Sequence, residues 1–336
     1  KGIHRTIVPS APDALMTALE NFGTLTLEEI LQPALELARD GFPISATTSQ
    51  VLKKLSETVD KNSNEWKSTF DIFSSNGKIL DEGEVLVQPD LANTFERLIE
   101  VEIQNAHLGR MKAIRAARNF FYKGELAEEI VSYSQRLGGK LSLSDLADFN
   151  VEIETPVSSR YKNYEVLTCG PWSQGPVTGQ VLQMLEKDKI STMSPNSPDY
   201  IHLLSQALNL SFSDRHHYYG DPDFVDVPMT GLLSPEYTSS QRLRISQENA
   251  FVEMPDPGNP WEYEEKGINR SKTRKPLPRP DRLEQDTSYT CVIDRWGNSF
   301  SATPSDAVFG SPIVPGLGLM ISSRGTQSWI DPDLPS

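Results

Sequence analysis

From residue 254 to residue 286 the chain shows no apolar periodicity and is broken by Pro255, Pro257, Pro260, Pro276, Pro278 and Pro280. A stretch of that composition cannot bury a core. The next seventeen residues have the opposite character. Tyr289 to Ile293 and Ser299 to Thr303 are rich in aromatic and β-branched residues. Between them Asp294 to Asn298 carries turn chemistry, with Gly297 and Asn298 able to take φ > 0. The pattern predicts a buried β-hairpin entered straight from a mobile connector of about 250–286, with Thr287 at the junction. Arg270, Lys272, Arg274 and Lys275 would also suit a basic docking tail. A connector is the better account, because the run leads into Thr287.

The rest of the composition sets outer bounds. With 336 residues the chain exceeds one modal domain, and 37% hydrophobic with 23% charged residues describes a globular protein with a sizeable core. No window approaches a transmembrane span and no signal peptide is visible. The first residue is Lys1 and not Met, so the natural chain is expected to begin upstream, and the compartment is left open. A net charge of −14, from 46 acidic and 32 basic residues, argues against nucleic acid and anionic membrane as partners. Cys169 and Cys291 allow no disulfide framework, and Cys291 is expected as a small apolar core residue of the strand. The five histidines have no zinc spacing, and His216 and His217 are adjacent and so point apart on a helix. No metal and no cofactor are expected.

Along the chain, apolar residues recur at helical spacing. Ala14 to Leu19 form a stripe behind Ser10 as N-cap, and Leu27 to Arg39 form a second helix ending at Gly41. Ile44 to Val59 form a third. A fourth starts at Gln88 with Asp90 as cap, and its pattern runs to Phe120 with a break expected at His107-Leu108-Gly109. On that stretch Arg110, Lys112, Arg115 and Arg118 read as one solvated face. Glu125 to Leu137 is helical, and Val151 to Leu167 is β-rich, with alternation at Val151 to Glu154 and a turn at Lys162-Asn163. The loop Gly170 to Pro176 opens a helix and serves either as a tight connection or as a set of backbone amides facing a ligand. Tyr200 to His217 and Ser234 to Ile245 are further helices. Asp221 and Asp223 form a weak calcium signal, better read as a capped loop. Many helices with a few hairpins indicate an α+β or layered α/β fold.

A resemblance narrows this. Asp286-Thr287-Ser288-Tyr289-Thr290-Cys291-Val292-Ile293-Asp294, then Gly297-Asn298 and Ser301-Ala302-Thr303, resembles the start of the small subunit in the gamma-glutamyltranspeptidase family of N-terminal nucleophile (Ntn) hydrolases. Val8-Pro9-Ser10, Gln32-Pro33-Ala34, Ala38 to Ser45, Phe121-Tyr122-Lys123-Gly124, Asp214-Arg215 and Gly220-Asp221-Pro222 also match family wording. Residues 101–118 look like an insertion relative to it. The resemblance implies an αββα sandwich, with 1–286 a helix-rich large-subunit portion and 287–336 the start of the small subunit. It further implies flanking segments before Lys1 and after Ser336, the latter carrying an oxyanion-hole glycine pair, without which the fragment is expected to be inactive.

The chemistry implied is specific. A threonine hydroxyl is a weak nucleophile until a base takes its proton. An N-terminal threonine carries its own base, an α-amine with an ordinary pKa of about 7.7–8.0. Inside an intact chain that nitrogen is an amide, so activity demands a cut between Asp286 and Thr287. By resemblance Ser305 is the second hydroxyl, bonded to the nucleophile. Arg324 and Gln327 fall where gamma-glutamyl enzymes place an acidic pair for the substrate ammonium, and Ala307 replaces an asparagine of the substrate loop. A guanidinium repels an ammonium and pairs with a carboxylate. Arg324 and Gln327 are therefore expected to contact a small amide bearing an anionic group, unless Arg324 faces solvent or pairs with Asp331 or Asp333. The leading expectation is a self-processing amidohydrolase or acyltransferase. The alternatives are a true gamma-glutamyl transferase and an uncleaved, non-catalytic binding homologue. Oligomeric state is left open.

Overall fold

The structure is a computed structural model that describes residues 2–264, 287–306 and 309–327. These residues fall into two compact units. One is drawn from Lys1–Glu152 and Leu283–Gln327, the other from Ile153–Arg282.

The first unit is mainly helical. Its elements are α1 (Ala11–Phe22), α2 (Leu27–Asp40), β1 (Phe42–Pro43), α3 (Ala46–Thr58), α4 (Lys67–Ile72), β2 (Ser74–Ser75), β3 (Lys78–Ile79), β4 (Val85–Leu86), α5 (Pro89–Asn105), α6 (Arg110–Lys123), α7 (Glu125–Arg136) and α8 (Leu143–Asp148). β1 pairs with β4 and β2 with β3, both antiparallel. α2 begins where Thr26 and Glu29 form a reciprocal capping box, and Glu102 of α5 accepts from the next two amides, Leu27 at 2.6 Å and Glu28 at 2.8 Å. α2 ends at Gly41, whose φ of +86° and contact with the Leu86 carbonyl exclude a side chain. The long helical pattern expected after residue 88 is broken as the sequence suggests, by a 3-10 turn at Ala106–Leu108 and by Gly109 at φ +91°. Ile114, Ala117, Phe121, Tyr122, Leu126 and Ile130 then form the centre of the core.

The basic face expected on α6 is only partly solvated: Lys112 and Arg115 are exposed, but Arg110 and Arg118 turn inward. Arg110 donates to the carbonyls of Leu19, Glu20 and Leu25, closing the end of α1, and Arg115 grips the Glu20 carboxylate. Arg118 is buried. Its Nε and Nη2 meet Asp13 Oδ1 and Oδ2 at 2.7 and 3.0 Å, its fork also reaches the Phe149 carbonyl, and its Cζ lies 4.7 Å from the Tyr122 ring centre. Asp13 also accepts from the Val151 N–H at 2.9 Å. That bond explains a second difference. The alternation at Val151 to Glu154 forms no strand, because the Val151 amide goes to a carboxylate instead of a ladder.

The second unit holds β5 (Val157–Tyr161), β6 (Tyr164–Thr168), α9 (Gly175–Met184), α10 (Pro198–Tyr218), α11 (Met229–Leu232) and α12 (Pro235–Arg242). β5 and β6 form a hairpin around Lys162 at φ +54°. α9, α10 and α12 surround a core of Val177, Leu203, Ala207, Leu210, Leu232 and Tyr237. At its centre Asp214, fully buried, accepts from Gln180 Nε2 at 3.0 Å, Tyr237 OH at 2.7 Å and the Gly258 N–H at 2.9 Å. Burial raises the Asp214 carboxyl above its ordinary value against the pull of these three donors. The described part of the proposed connector, 251–264, is packed on this unit. Ser213 and Tyr218 donate to the Pro255 and Gly258 carbonyls, and Trp261 and Tyr263 lie against the core. The remainder, 265–286, lies outside the described residues.

The first unit is completed by β7 (Thr290–Ile293) and β8 (Ser299–Ala302), paired antiparallel. Both strands are exposed on both faces, apart from a partly covered Ala302. The expected burial of this hairpin, and of Cys291 within it, is therefore not met. A strand is buried only by a covering layer, and the described residues place none over β7 and β8. Cys169 is exposed too. Among the described residues there are four two-stranded sheets, no helix long and apolar enough to cross a membrane, and no cluster of His, Cys, Asp or Glu fit for a metal. Asp221 caps its own loop, accepting from the Asp223 N–H.

Two of the buried carboxylates, Asp13 and Asp214, lead to measurable stability effects. Burial alone would raise the Asp13 carboxyl, but Arg118 and the Val151 N–H outweigh it and hold the group below its ordinary value. The pair therefore adds stability that is full above about pH 4 and is lost as pH falls through the lowered value. Arg118→Met leaves the carboxylate buried and unpaired, and is expected to cost about 3–5 kcal/mol in urea titrations. Adding Asp13→Asn should recover part of that loss. Asp214→Asn sets an amide N–H against a donor, whichever way it turns, and should cost about 1–3 kcal/mol by the same measurement.

Candidate functional site

The β7–β8 turn sets the geometry. Asp294 Oδ1 accepts from the N–H groups of Trp296 and Asn298, both at 2.9 Å, and Oδ2 accepts from Asn298 Nδ2 at 2.8 Å. These bonds, the Asn298 side chain first, hold the Asp294 carboxyl below its ordinary value. Gly297 takes φ +86°, while Asn298 needs no positive φ. The register then runs Ile293 to Ser299, Val292 to Phe300, Cys291 to Ser301 and Thr290 to Ala302.

Thr287 lies three residues before Thr290, and Ser305 three residues after Ala302, so the register carries them to the open end of the hairpin opposite each other. Their hydroxyl oxygens are 2.8 Å apart, a hydrogen bond in which either can donate. Both residues are exposed. Arg324 reaches Ser305. Its Nε donates to the Ser305 carbonyl at 2.8 Å, and its Nη2 donates to Ser305 Oγ.

Arg324 is held in place by the chain beyond the hairpin. Residues 309–323 bury Phe309, Ile313, Val314, Leu317 and Ile321 in the helical unit. Thr69 and Ser68 bond the Ile313 amide and carbonyl at 2.9 and 2.6 Å, Thr94 donates to the Leu317 carbonyl at 2.8 Å, and Asp90 accepts from the Gly316 N–H at 2.8 Å. Nearer the arginine, the Ile7 N–H donates to the Ser322 carbonyl, and the Ser323 N–H donates to Asp306 Oδ1 at 3.2 Å. Asp306, beside Ser305, is a site residue that sequence reasoning misses. Seventeen positions separate it from Ser323, and no local pattern marks the pair.

Of the expected site residues, the structure brings Thr287, Ser305 and Arg324 together. Gln327 ends the 3-10 turn Arg324–Gln327. Asp286, Ala307, Asp331 and Asp333 lie outside the described residues, and so does the alternative pairing of Arg324 with the last two.

The fold is that of an N-terminal nucleophile hydrolase. It superposes on a cephalosporin acylase from Bacillus halodurans with a TM-score of 0.78 at 26% identity, covering 99% of this chain and 54% of that one. A Helicobacter pylori gamma-glutamyltranspeptidase matches over 71% of this chain and 63% of its own, with a TM-score of 0.60 at 28% identity. The chain belongs to the gamma-glutamyltranspeptidase family, whose model matches residues 1–333. Among curated relatives, a glutathione hydrolase proenzyme of Bacillus subtilis is 32% identical over 327 residues, 95% of this chain and 51% of the relative. An acylase proenzyme of a Pseudomonas strain is 29% identical over 325 residues, 96% of this chain and 51% of the relative. The chain thus spans about half the length of the curated relatives it matches.

Gly325 offers a test of how Arg324 is placed. A Cβ there would stand 2.8 Å from the Arg5 carbonyl oxygen, a backbone atom that cannot swing away. Gly325→Ala should lower stability by about 1–3 kcal/mol, read as a fall in Tm.

Proposed function

We propose that this chain is part of a self-processing amidohydrolase or acyltransferase whose nucleophile is Thr287. The observation that carries the reading is the hydrogen bond between the Thr287 and Ser305 hydroxyls at the open end of the β7–β8 hairpin. In the first reaction Thr287 Oγ1 attacks the Asp286 carbonyl carbon. The C–N bond to Thr287 breaks, its nitrogen takes a proton to become the free α-amine, and Asp286 is left as an ester on the hydroxyl. Water opens the ester, giving an Asp286 carboxylate and a new chain that starts at Thr287. The α-amine, with an ordinary pKa of about 7.7–8.0, then serves as base for the hydroxyl. Attack on an amide substrate releases an amine and leaves an acyl-enzyme, which passes its acyl group to water or to another amine.

On this reading 1–286 is the large-subunit portion and 287–336 the start of the small subunit, which joins the rest of the protein to complete the site. The proenzyme names of the relatives support a cleaved partner. Arg324 and Gln327 contact the substrate, and a guanidinium near the nucleophile favours a small amide that carries a carboxylate. A gamma-glutamyl substrate is the second reading, favoured by the glutathione hydrolase relative. Glutathione turnover by the full-length protein separates the two.

Intact mass of the full-length protein tests the proposal. Two chains divided before Thr287 are expected, and a single uncut chain would sink it in favour of a binding homologue. Thr287→Ala should abolish cleavage and turnover, while Thr287→Ser, which keeps a hydroxyl and an α-amine, should retain some of both.

A further inference from the structure

The bond between Thr287 and Ser305 has two possible directions, and they differ in consequence. If Thr287 donates, its hydrogen is held by Ser305 and must be moved before attack. If Ser305 donates, Thr287 Oγ1 accepts a hydrogen bond while its own hydrogen is left for a base. A hydroxyl has one hydrogen and two acceptor sites. What else binds the Ser305 oxygen therefore biases the direction.

Arg324 supplies that bias. A guanidinium only donates, and it stays protonated at any working pH. One N–H meets Ser305 Oγ and a second meets the Ser305 carbonyl, so the two together fix where the serine oxygen sits. A charged donor on a hydroxyl oxygen draws density from its O–H bond, making the serine a stronger donor and a poorer acceptor toward its other neighbour. Arg324 also cannot take a proton, so Ser305 has no onward path through it and cannot act as a relay base in that direction. The arginine is placed to do this by a backbone anchored at both of its neighbours. Ser323 is tied to Asp306, and Gly325 is packed against the Arg5 carbonyl.

We infer that Arg324 is a positioning residue for the nucleophile: it donates to Ser305, Ser305 donates to Thr287 Oγ1, and the Thr287 hydroxyl hydrogen is thereby kept for the Thr287 nitrogen, which takes it as the Asp286–Thr287 bond breaks in self-cleavage and, as the α-amine, in later turnover. This rests on the reading of Thr287 as nucleophile, and it differs from a substrate-binding role for Arg324. It acts in self-cleavage, where no substrate is present.

The experiment follows cleavage of freshly translated full-length precursor by intact mass, for wild type, Arg324→Ala, Arg324→Lys, Ser305→Ala and Ser305→Ala with Arg324→Ala. Arg324→Ala should slow the appearance of the Thr287 chain about tenfold, the scale of one charge-assisted hydrogen bond. Arg324→Lys, which keeps a charged donor, should recover part of the rate. In the Ser305→Ala background the arginine change should add nothing, because its effect passes through the serine hydroxyl. Cleavage of Arg324→Ala at the wild-type rate, or an equal further loss in the Ser305→Ala background, overturns the inference and leaves Thr287 as nucleophile untouched. If Arg324→Ala does not fold, Arg324→Lys decides: cleavage no faster than in Ser305→Ala, with an unchanged Tm, counts against the inference, and a rate between Ser305→Ala and wild type supports it. A wild-type protein that never divides before Thr287 removes the nucleophile reading itself, a different result from any of these.

Discussion

The site depends on how residues 309–323 are docked across the helices of the first unit. The hairpin bearing Thr287 and Ser305 is exposed along both strands and buries too little apolar surface to fix itself. Its anchorage comes from the chain that leaves it. Ile313, Val314, Leu317 and Ile321 are nearly fully buried, and the backbone between them is bonded by Ser68, Thr69, Asp90 and Thr94. An irregular segment can be buried only if its peptide groups find partners. Here helix side chains supply them, so the strip is as well determined as a strand would be, and Arg324 inherits that precision.

Two buried carboxylates organise the units in opposite ways. Asp13 is matched by a guanidinium with good two-pronged geometry and stays ionised below its ordinary range. It fastens α1 to α6 and also fixes the chain at Val151. Among the described residues Asp214 has no such bidentate partner. Three neutral donors surround it, and burial pushes its carboxyl upward. One of those donors is the Gly258 N–H, so the carboxylate gathers irregular chain onto a helical core. That is a task for hydrogen bonds from fixed directions more than for charge.

Much of this is legible in the sequence. Helical periodicity finds the helices because apolar spacing is a local property, whereas Ser10 and Asp90, expected as caps, make no side-chain capping bond. Thr26 with Glu29 and Ser142 with Asp145 are complete capping boxes within four residues. The break at Gly109 and the turn at Asp294 are readable for the same reason. Arg118 misleads because a basic residue on a helix is usually solvated, and its partner Asp13 is 105 positions away. Cys291 misleads because a β-rich, apolar-looking stretch says nothing about whether a layer covers it. Thr287 and Ser305 come from family resemblance, and the hairpin register explains their meeting. The link from Arg324 to Ser305 is a long-range fact with no signature in either segment, so sequence alone points the arginine toward substrate, toward solvent or toward Asp331 and Asp333.

The hairpin turn has a significance out of proportion to its distance from the hydroxyls. Thr287 and Ser305 are opposed only because the chain counts equal numbers of residues outward from Asp294 and Asn298. The Asp294 carboxylate, by seizing two amides and a side-chain amide of its own loop, sets the zero of that count. A slip of one pair would carry each hydroxyl about 3.3 Å along its strand and turn it to the opposite face. The turn is thus a ruler. It makes no contact with the reacting atoms, yet the length it measures decides whether the two oxygens meet.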